Sequence, residues 1–326
     1  MIKVVADIGG TYARFAHVKD HQEKLTNIVK LRCSSFKGIL DLLKHYLSNL
    51  DDDINMICLA IACPTTTDVV NLTNIGWSFS QSALAFELGV PLLIINDFTA
   101  QSLSINALNE NDFIVLHQGE AEPGAPILVI GPGTGLGVGV LIRSGNYWLP
   151  VPTEGGHVSF SPMTELEIKI FDRLKSLYGH VSAERIVSGP GLQNLFRIMG
   201  FIEGKEISQW DSLKIVQAAK KGDLFALRVT SVFFEIFATT VGNACLTIGA
   251  RGGVVIAGGV IPKMIGLIQK SSFLTRLKDK GRVSDYLSHI PVRVIMDDTS
   301  GLHGARLAME NPNFKGFIMN SSTSIG

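Results

Sequence analysis

The sequence predicts an α/β protein built on mixed β-sheets and divided into two related domains. Three observations carry this. Apolar runs of strand length alternate with stretches of helical spacing, a strand, glycine turn and second strand open the chain, and a unit of the same outline recurs near its middle.

In chain order, Met1 to Val18 has apolar runs around Val4-Val5 and Phe15 to Val18 separated by Gly9-Gly10, the pattern of two strands joined by a tight turn. Ile39, Leu42, Leu43, Tyr46 and Leu47 fall on one helical face. Met56 to Ala62 reads as a buried strand stopped by Pro64, and Pro91 to Ile95 as another that runs into Asn96-Asp97-Phe98. The second unit is Ile127 to Ile130, the glycine-rich Gly131 to Gly137, then Val138 to Ile142. Leu213 to Gly222 and Leu224 to Gly249 read as helices, the latter apolar on nearly every face and therefore central to its domain. Gly252 to Gly259 is a short buried strand between glycine pairs, and the Ser- and Asn-rich tail, Asn311 to Gly326, is expected to be loose.

Composition narrows the function. The 326 residues are 46% hydrophobic, enough for two ordinary domains, and 29 basic residues balance 29 acidic ones. No positive surplus exists to drive binding to nucleic acid or to an anionic membrane. The uncharged stretch Pro126 to Ile142 is cut by five glycines and a second proline, so it reads as strands and turns rather than a membrane span. No secretory pattern marks the first residues, and the expected location is cytoplasmic. Cys33, Cys58, Cys63 and Cys245 stand singly, without metal-ligand spacing, as reduced and mostly buried thiols do.

Several residues carry chemistry. Asp7-Ile8-Gly9-Gly10-Thr11 sets a carboxylate at a strand end, then two residues without side chains, then a hydroxyl; such a turn admits an anion to backbone N–H groups while the carboxylate orients hydrated Mg²⁺. An ordinary hairpin turn has the same letters. Gly131 to Gly137 fits neither the dinucleotide fingerprint nor a P-loop, leaving another kind of phosphate clamp or a close-packed bend. Asp97 emerges at a strand's carboxyl end, where α/β sheets place ligands, and either accepts a proton from a hydroxyl or caps a helix starting near Thr99. Glu154-Gly155-Gly156-His157 suits a ligand bearing several hydroxyls, although a lone His is more often structural. Glu184 reads either as part of that set or as a surface charge paired with Arg185.

The order of these pieces is specific. Asp7 to Arg14 (DIGGTYAR), Cys63-Pro64 followed by Thr73-Asn74, Ile95 to Ala100 (INDFTA), Gly133 to Gly137 (GTGLG), Glu154 to His157 (EGGH), Ser182 to Leu192 (SAERIVSGPGL) and Gly253 to Gly259 follow one another as in the bacterial glucokinase family. From about residue 3 to residue 309 the chain resembles that family, in the type that lacks a zinc motif. The resemblance implies two actin-like ATPase (ribonuclease H-like) α/β domains flanking a cleft and closing over ATP and substrate. It implies a smaller discontinuous domain of residues 1–107 and 298–326, to which a last helix at about Leu302 to Met309 returns, and a larger one of residues 108–297.

By the same resemblance, Ala6, Asp7, Ile8, Gly9, Gly10 and Thr11 form a first phosphate loop, Gly133, Thr134 and Gly135 a second, and Gly258 and Gly259 close an adenosine motif. Asn96, Asp97, Glu154, His157 and Glu184 match sugar-binding positions, with Asp97 as catalytic base and Asp7 on Mg²⁺ through water. Three residues depart from the family pattern: Ala6 stands for Gly, Pro132 for a small residue, and Tyr12 for Asn, the last putting a large ring beside the phosphate loop. The implied activity is ATP-dependent phosphorylation of glucose to glucose 6-phosphate by a homodimer. The rivals are a kinase for another hexose or amino sugar, a sugar-responsive regulator, and a polymerising or chaperone-like ATPase. The regulator needs a DNA-binding segment, yet no basic helix precedes Asp7, and the last rival does not need the hydroxyl-reading residues.

Overall fold

The computed structural model describes residues 1–20, 22–205 and 208–320. Strands β1 (Ile2–Ile8), β2 (Tyr12–Lys19) and β3 (Thr26–Arg32) pair antiparallel in sequence, joined first by the Gly9-Gly10 turn. Helix α1 (Ile39–Leu47) buries Ile39, Leu42, Leu43 and Tyr46, the face read from the sequence, and Tyr46 stacks on Phe15 of β2. Strand β4 (Ile54–Ile61) then pairs parallel with β1; the hairpin β5 (Val69–Leu72) and β6 (Trp77–Ser80) leads into α2 (Gln81–Leu88), and β7 (Leu92–Asn96) pairs parallel with β4. The resulting sheet runs β3-β2-β1-β4-β7, mixed as expected. Helix α3 (Asp97–Ser104) starts directly from β7.

Strands β8 (Phe113–His117), β9 (Ile127–Pro132), β10 (Leu136–Ser144) and β11 (Tyr147–Thr153) then join a six-stranded sheet with two later strands. Helices α4 (Glu165–Tyr178), α5 (Gly189–Ile202), α6 (Ser212–Lys220) and α7 (Leu224–Ile248) follow, each opened by a side-chain cap, from Thr164, Ser188, Asp211 and Asp223. Helix α7 is long and apolar enough to cross a membrane, but 67% of its most apolar window is buried in the protein, with Phe233, Phe234 and Phe237 inside. It is a core helix, as its all-round apolarity suggested. Strand β12 (Gly253–Ile256) pairs parallel with β9; short helices α8 (Ile265–Ile268), α9 (Phe273–Lys278) and α10 (Ser284–Ser288) precede β13 (Val292–Ile295), and the sheet order is β11-β10-β9-β12-β13-β8.

Helix α11 (Ser300–Glu310) returns to the first unit, packing on α3, β1 and β4. By contacts the first unit comprises residues 1–110, 144–152 and from 297 onward, and the second 111–143 and 153–296. The sequence expectation places residues 144–152 in the larger domain; contacts group them with the first unit, where the Trp148 carbonyl accepts the Asn311 Nδ2 hydrogen at 2.8 Å. The tail is not loose over its described part. Residues Pro312–Phe317 form a 3₁₀ helix and Met319 exchanges backbone hydrogen bonds with Leu92, because β7 is the edge of its sheet and its outer ladder groups need partners; residues 321–326 lie outside the described residues. All four cysteines are buried free thiols.

Candidate active site

In the first unit the candidate residues gather at the carboxyl ends of β1, β4 and β7. Ala6 and Ile8 put their side chains into the core, while Asp7 points to the opposite face with its side chain 18% exposed. The Gly9 N–H donates to the Tyr12 carbonyl at 3.0 Å, the Cys33 N–H to the Thr11 carbonyl at 3.0 Å, and the Cys33 thiol to the Gly9 carbonyl at 3.4 Å, so the turn is pinned from the end of β3. A small cavity lined by Gly9, Gly10, Ala62 and Asn74 lies beside it.

The Asp7 carboxylate meets two groups the sequence did not single out. Arg14 approaches its Oδ2 at 3.8 Å and reaches Asp298 at 3.6 Å with its other terminal nitrogen. Gly301, in the first turn of α11, lies so close that a Cβ there would sit 2.8 Å from the Asp7 Cγ and Oδ2. Burial pushes the Asp7 carboxyl pKa up and the Arg14 charge opposes that rise.

The helix cap that the sequence offered to Asp97 falls to Asn96. Helix α3 begins at Asp97, not near Thr99, and Asn96 caps it: its Oδ1 accepts from the Phe98 N–H at 2.9 Å and the Thr99 N–H at 3.3 Å, while its Nδ2 donates to the Cys63 carbonyl at 3.3 Å. The Asp97 carboxylate shares the Phe98 N–H, at 2.9 Å, and has no hydrogen-bonding side-chain partner among the described residues. Its pKa is raised to about 7, first by burial and then by the neighbouring Asp7 charge. The capping alternative for Asp97 is therefore a correction: the better-placed amide beside it does that work.

In the second unit Leu136, the first residue of β10, is the point where the other candidates meet. Its N–H donates to Glu184 Oε2 at 2.9 Å. Its carbonyl lies where a Cβ on Gly156 would stand, so only glycine lets the Glu154 to His157 turn pack there. Gly135 leaves room for the same Glu184 oxygen, and the Gly189 N–H donates to the Gly133 carbonyl at 2.9 Å. Gly258, at φ +78°, packs against the Pro132 carbonyl, bringing the Gly258-Gly259 end of β12 beside Gly133, Thr134 and Gly135.

Glu154 and His157 are exposed and 3.7 Å apart, so His157 is not a buried structural residue. Glu184 is not a surface charge paired with Arg185: it turns inward to Leu136, and Arg185 stacks on the Tyr178 ring at 4.2 Å. Arg14 and Asn74 entered the sequence reading only as letters within motifs. For Gly301, Asp298 and Leu136 no local signal existed, since their neighbours at the site are distant in sequence.

The comparisons with known proteins give the family. A family model described as glucokinase matches residues 4–312. A glucokinase from Hahella chejuensis is 40% identical over 311 residues, covering 94% of this chain and 97% of that protein. Among solved structures, a glucokinase from an Antarctic psychrotroph superimposes with a TM-score of 0.82 at 32% identity, covering 95% of this chain and 99% of that one. A ROK family glucokinase from Streptomyces griseus, solved in complex with glucose and AMPPNP, shares the fold at a TM-score of 0.68 and 18% identity, over 95% and 100% of the two chains. The fold is thus the two-domain actin-like ATPase α/β fold, and the match along nearly the whole chain carries the conclusion: the chain belongs to the glucokinase family of sugar-phosphorylating enzymes.

Proposed function

We propose that the chain transfers the γ-phosphoryl group of ATP to the 6-hydroxyl of glucose, with Asp97 as the base. The observation that carries this reading is the freedom of the Asp97 carboxylate: Asn96 supplies the helix cap, and burial beside Asp7 holds the Asp97 pKa at about 7, where a base is both available and strong enough to accept a hydroxyl proton. Phosphoryl transfer needs little covalent help from a protein; it needs alignment, neutralised charge and a proton acceptor. The Gly9-Gly10 turn with Thr11, and Gly133, Thr134 and Gly135 with Gly258 and Gly259, supply backbone N–H groups and room for phosphates and nucleoside. Asn96, Glu154, His157 and Glu184 read sugar hydroxyls; Glu184 keeps Oε1 for that purpose because Oε2 serves Leu136.

Mg²⁺ fits this site. The Asp7 carboxylate stands beside Asp97 with Arg14 as its cationic partner at 3.8 Å, and such an oxygen-rich, anionic edge suits a hydrated ion held by one carboxylate and the substrate's phosphates. When bound, the ion would neutralise charge on the transferred group. The reading includes a cytoplasmic homodimer with no nucleic-acid or membrane partner, supported by family membership and by the balance of 29 basic and 29 acidic residues. A coupled assay with ATP against glucose, mannose, fructose and N-acetylglucosamine tests the proposal. Glucose should be the preferred acceptor; another sugar turned over faster would move the reading to its hexose or amino-sugar rival.

A further inference from the structure

The strand register puts a small basic face next to the first glycine turn. Tyr12 stands opposite Arg32, and Arg14 opposite Lys30, across β2 and β3, while Asp7 stands opposite Arg14 across β1 and β2. Directly opposed residues of antiparallel strands share a face, so all five side chains emerge on one side of the sheet. Their charges are not used alike. Arg14 is engaged by Asp7 and Asp298. Lys30 and Arg32 are exposed and have no ion-pair partner among the described residues; Lys30 instead rests its ammonium 4.4 Å from the centroid of the Tyr12 ring. Tyr12 is 42% exposed, and the backbone bond from Cys33 to Thr11 ties the end of this strand pair to the turn. The chain as a whole is neutral, so two uncompensated cations on one face mark a local arrangement rather than a general excess.

We propose that Tyr12, Lys30 and Arg32 form an accessory oxyanion subsite beside the Gly9-Gly10 turn that takes the phosphate chain of the phosphoryl donor. The ring holds the Lys30 ammonium in place by a cation–π contact, so less side-chain freedom is lost when a phosphate oxygen arrives. Arg32 offers a planar fork of N–H donors suited to a second oxygen. Asp7 and Asp298 both pair with Arg14, and neither forms an ion pair with Lys30 or Arg32. This inference rests on the proposed function only in taking the donor's phosphates to lie at the Gly9-Gly10 turn. The shared ligand chemistry is a phosphate chain, which a nucleoside triphosphate and free inorganic polyphosphate both present.

The test uses the full chain and the double variant Lys30→Ala/Arg32→Ala, with its melting temperature recorded as a check on folding. The KM for ATP should rise about tenfold, more than any loss in kcat, and should lose part of its salt dependence. In calorimetry with inorganic tripolyphosphate alone, the parent protein should bind and the double variant should bind about tenfold more weakly. An unchanged KM for ATP with unchanged tripolyphosphate affinity overturns the subsite. Weakened tripolyphosphate binding with an unchanged KM for ATP overturns its role toward the nucleotide donor and leaves free polyphosphate as the ligand. If the parent protein does not phosphorylate glucose, the proposed function fails, and the tripolyphosphate measurement still decides the subsite.

Discussion

Glu184 Oε2 accepts the Leu136 backbone N–H at 2.9 Å, joining residues 48 positions apart in sequence. One oxygen of the carboxylate thus fixes the exit of the second glycine turn, and under the proposed function the other reads a sugar hydroxyl. The bond also makes the two simplest substitutions at this position differ.

Glu184→Ala should raise the KM for glucose about ten- to a hundredfold, the cost of losing a hydrogen bond to a charged group. It should also raise the KM for ATP, because the Gly133 to Gly135 turn loses its anchor. Glu184→Gln retains an oxygen that can accept from Leu136, so its effect on ATP should be small while its glucose KM still rises. Steady-state kinetics against both substrates measures this, and equal ATP effects in the two variants would remove the anchoring role.

Asp97→Asn should lower turnover by about a hundred- to ten-thousandfold with the fold intact, since the amide cannot take the hydroxyl proton and Asn96 continues to cap α3. The same variant carries a stability signature of definite sign. The folded-state pKa of Asp97 is raised to about 7, so the stability that its protonated form contributes is present at low pH and lost as pH rises through 7. Asp97→Asn should therefore melt higher than the parent at pH 8, the gap shrinking as pH falls toward 4. A variant that melts lower at pH 8 would show that the Asp97 charge is not strained in the fold.

The acid limb of kcat/KM for glucose should fall near pH 7, where Asp97 becomes protonated. Asp7→Asn removes the charge that adds to the effect of burial, so in the residual activity of that variant the limb should move to lower pH while staying above the ordinary aspartate range. A limb that does not move would mean burial alone sets it.

Gly301→Ala should disturb the site through packing. Its Cβ would sit 2.8 Å from Asp7 Cγ, and Asp7 is a short side chain also engaged by Arg14, so either the carboxylate or the first turn of α11 must shift. A loss of about 1–3 kcal/mol in stability is expected for such overpacking, with a marked drop in kcat. Denaturant unfolding together with turnover checks both; a variant equal to the parent in each would show that α11 yields freely.

Strong local periodicity made much of the frame legible. The helical face of Ile39 to Leu47, the apolar strands at 56–62 and 91–95, the core helix at 224–249 and both glycine turns read directly from the sequence, because each declares itself within a few neighbouring residues. The hairpin of Val69–Leu72 with Trp77–Ser80 and the edge strands β3 and β11 have apolar residues too few or too irregular to announce a period, whereas β8 and the helix Glu165–Tyr178, with Leu166, Ile170 and Leu174 at helical spacing, carry a local signal that the sequence analysis did not use.

The sequence by itself determined the α/β class, the two glycine turns, the candidate groups from Asp7 to Gly259 and the family resemblance, since these depend on residue type and order. Only the tertiary structure decided how those groups are used. It put the cap on Asn96 and freed Asp97, turned Glu184 inward to Leu136, set Gly301 and Arg14 against Asp7, and tied the tail through Met319 to Leu92. Each of these follows from desolvation, close approach or hydrogen-bond satisfaction between residues brought together by the chain's return, and no local pattern encodes the distance between such partners.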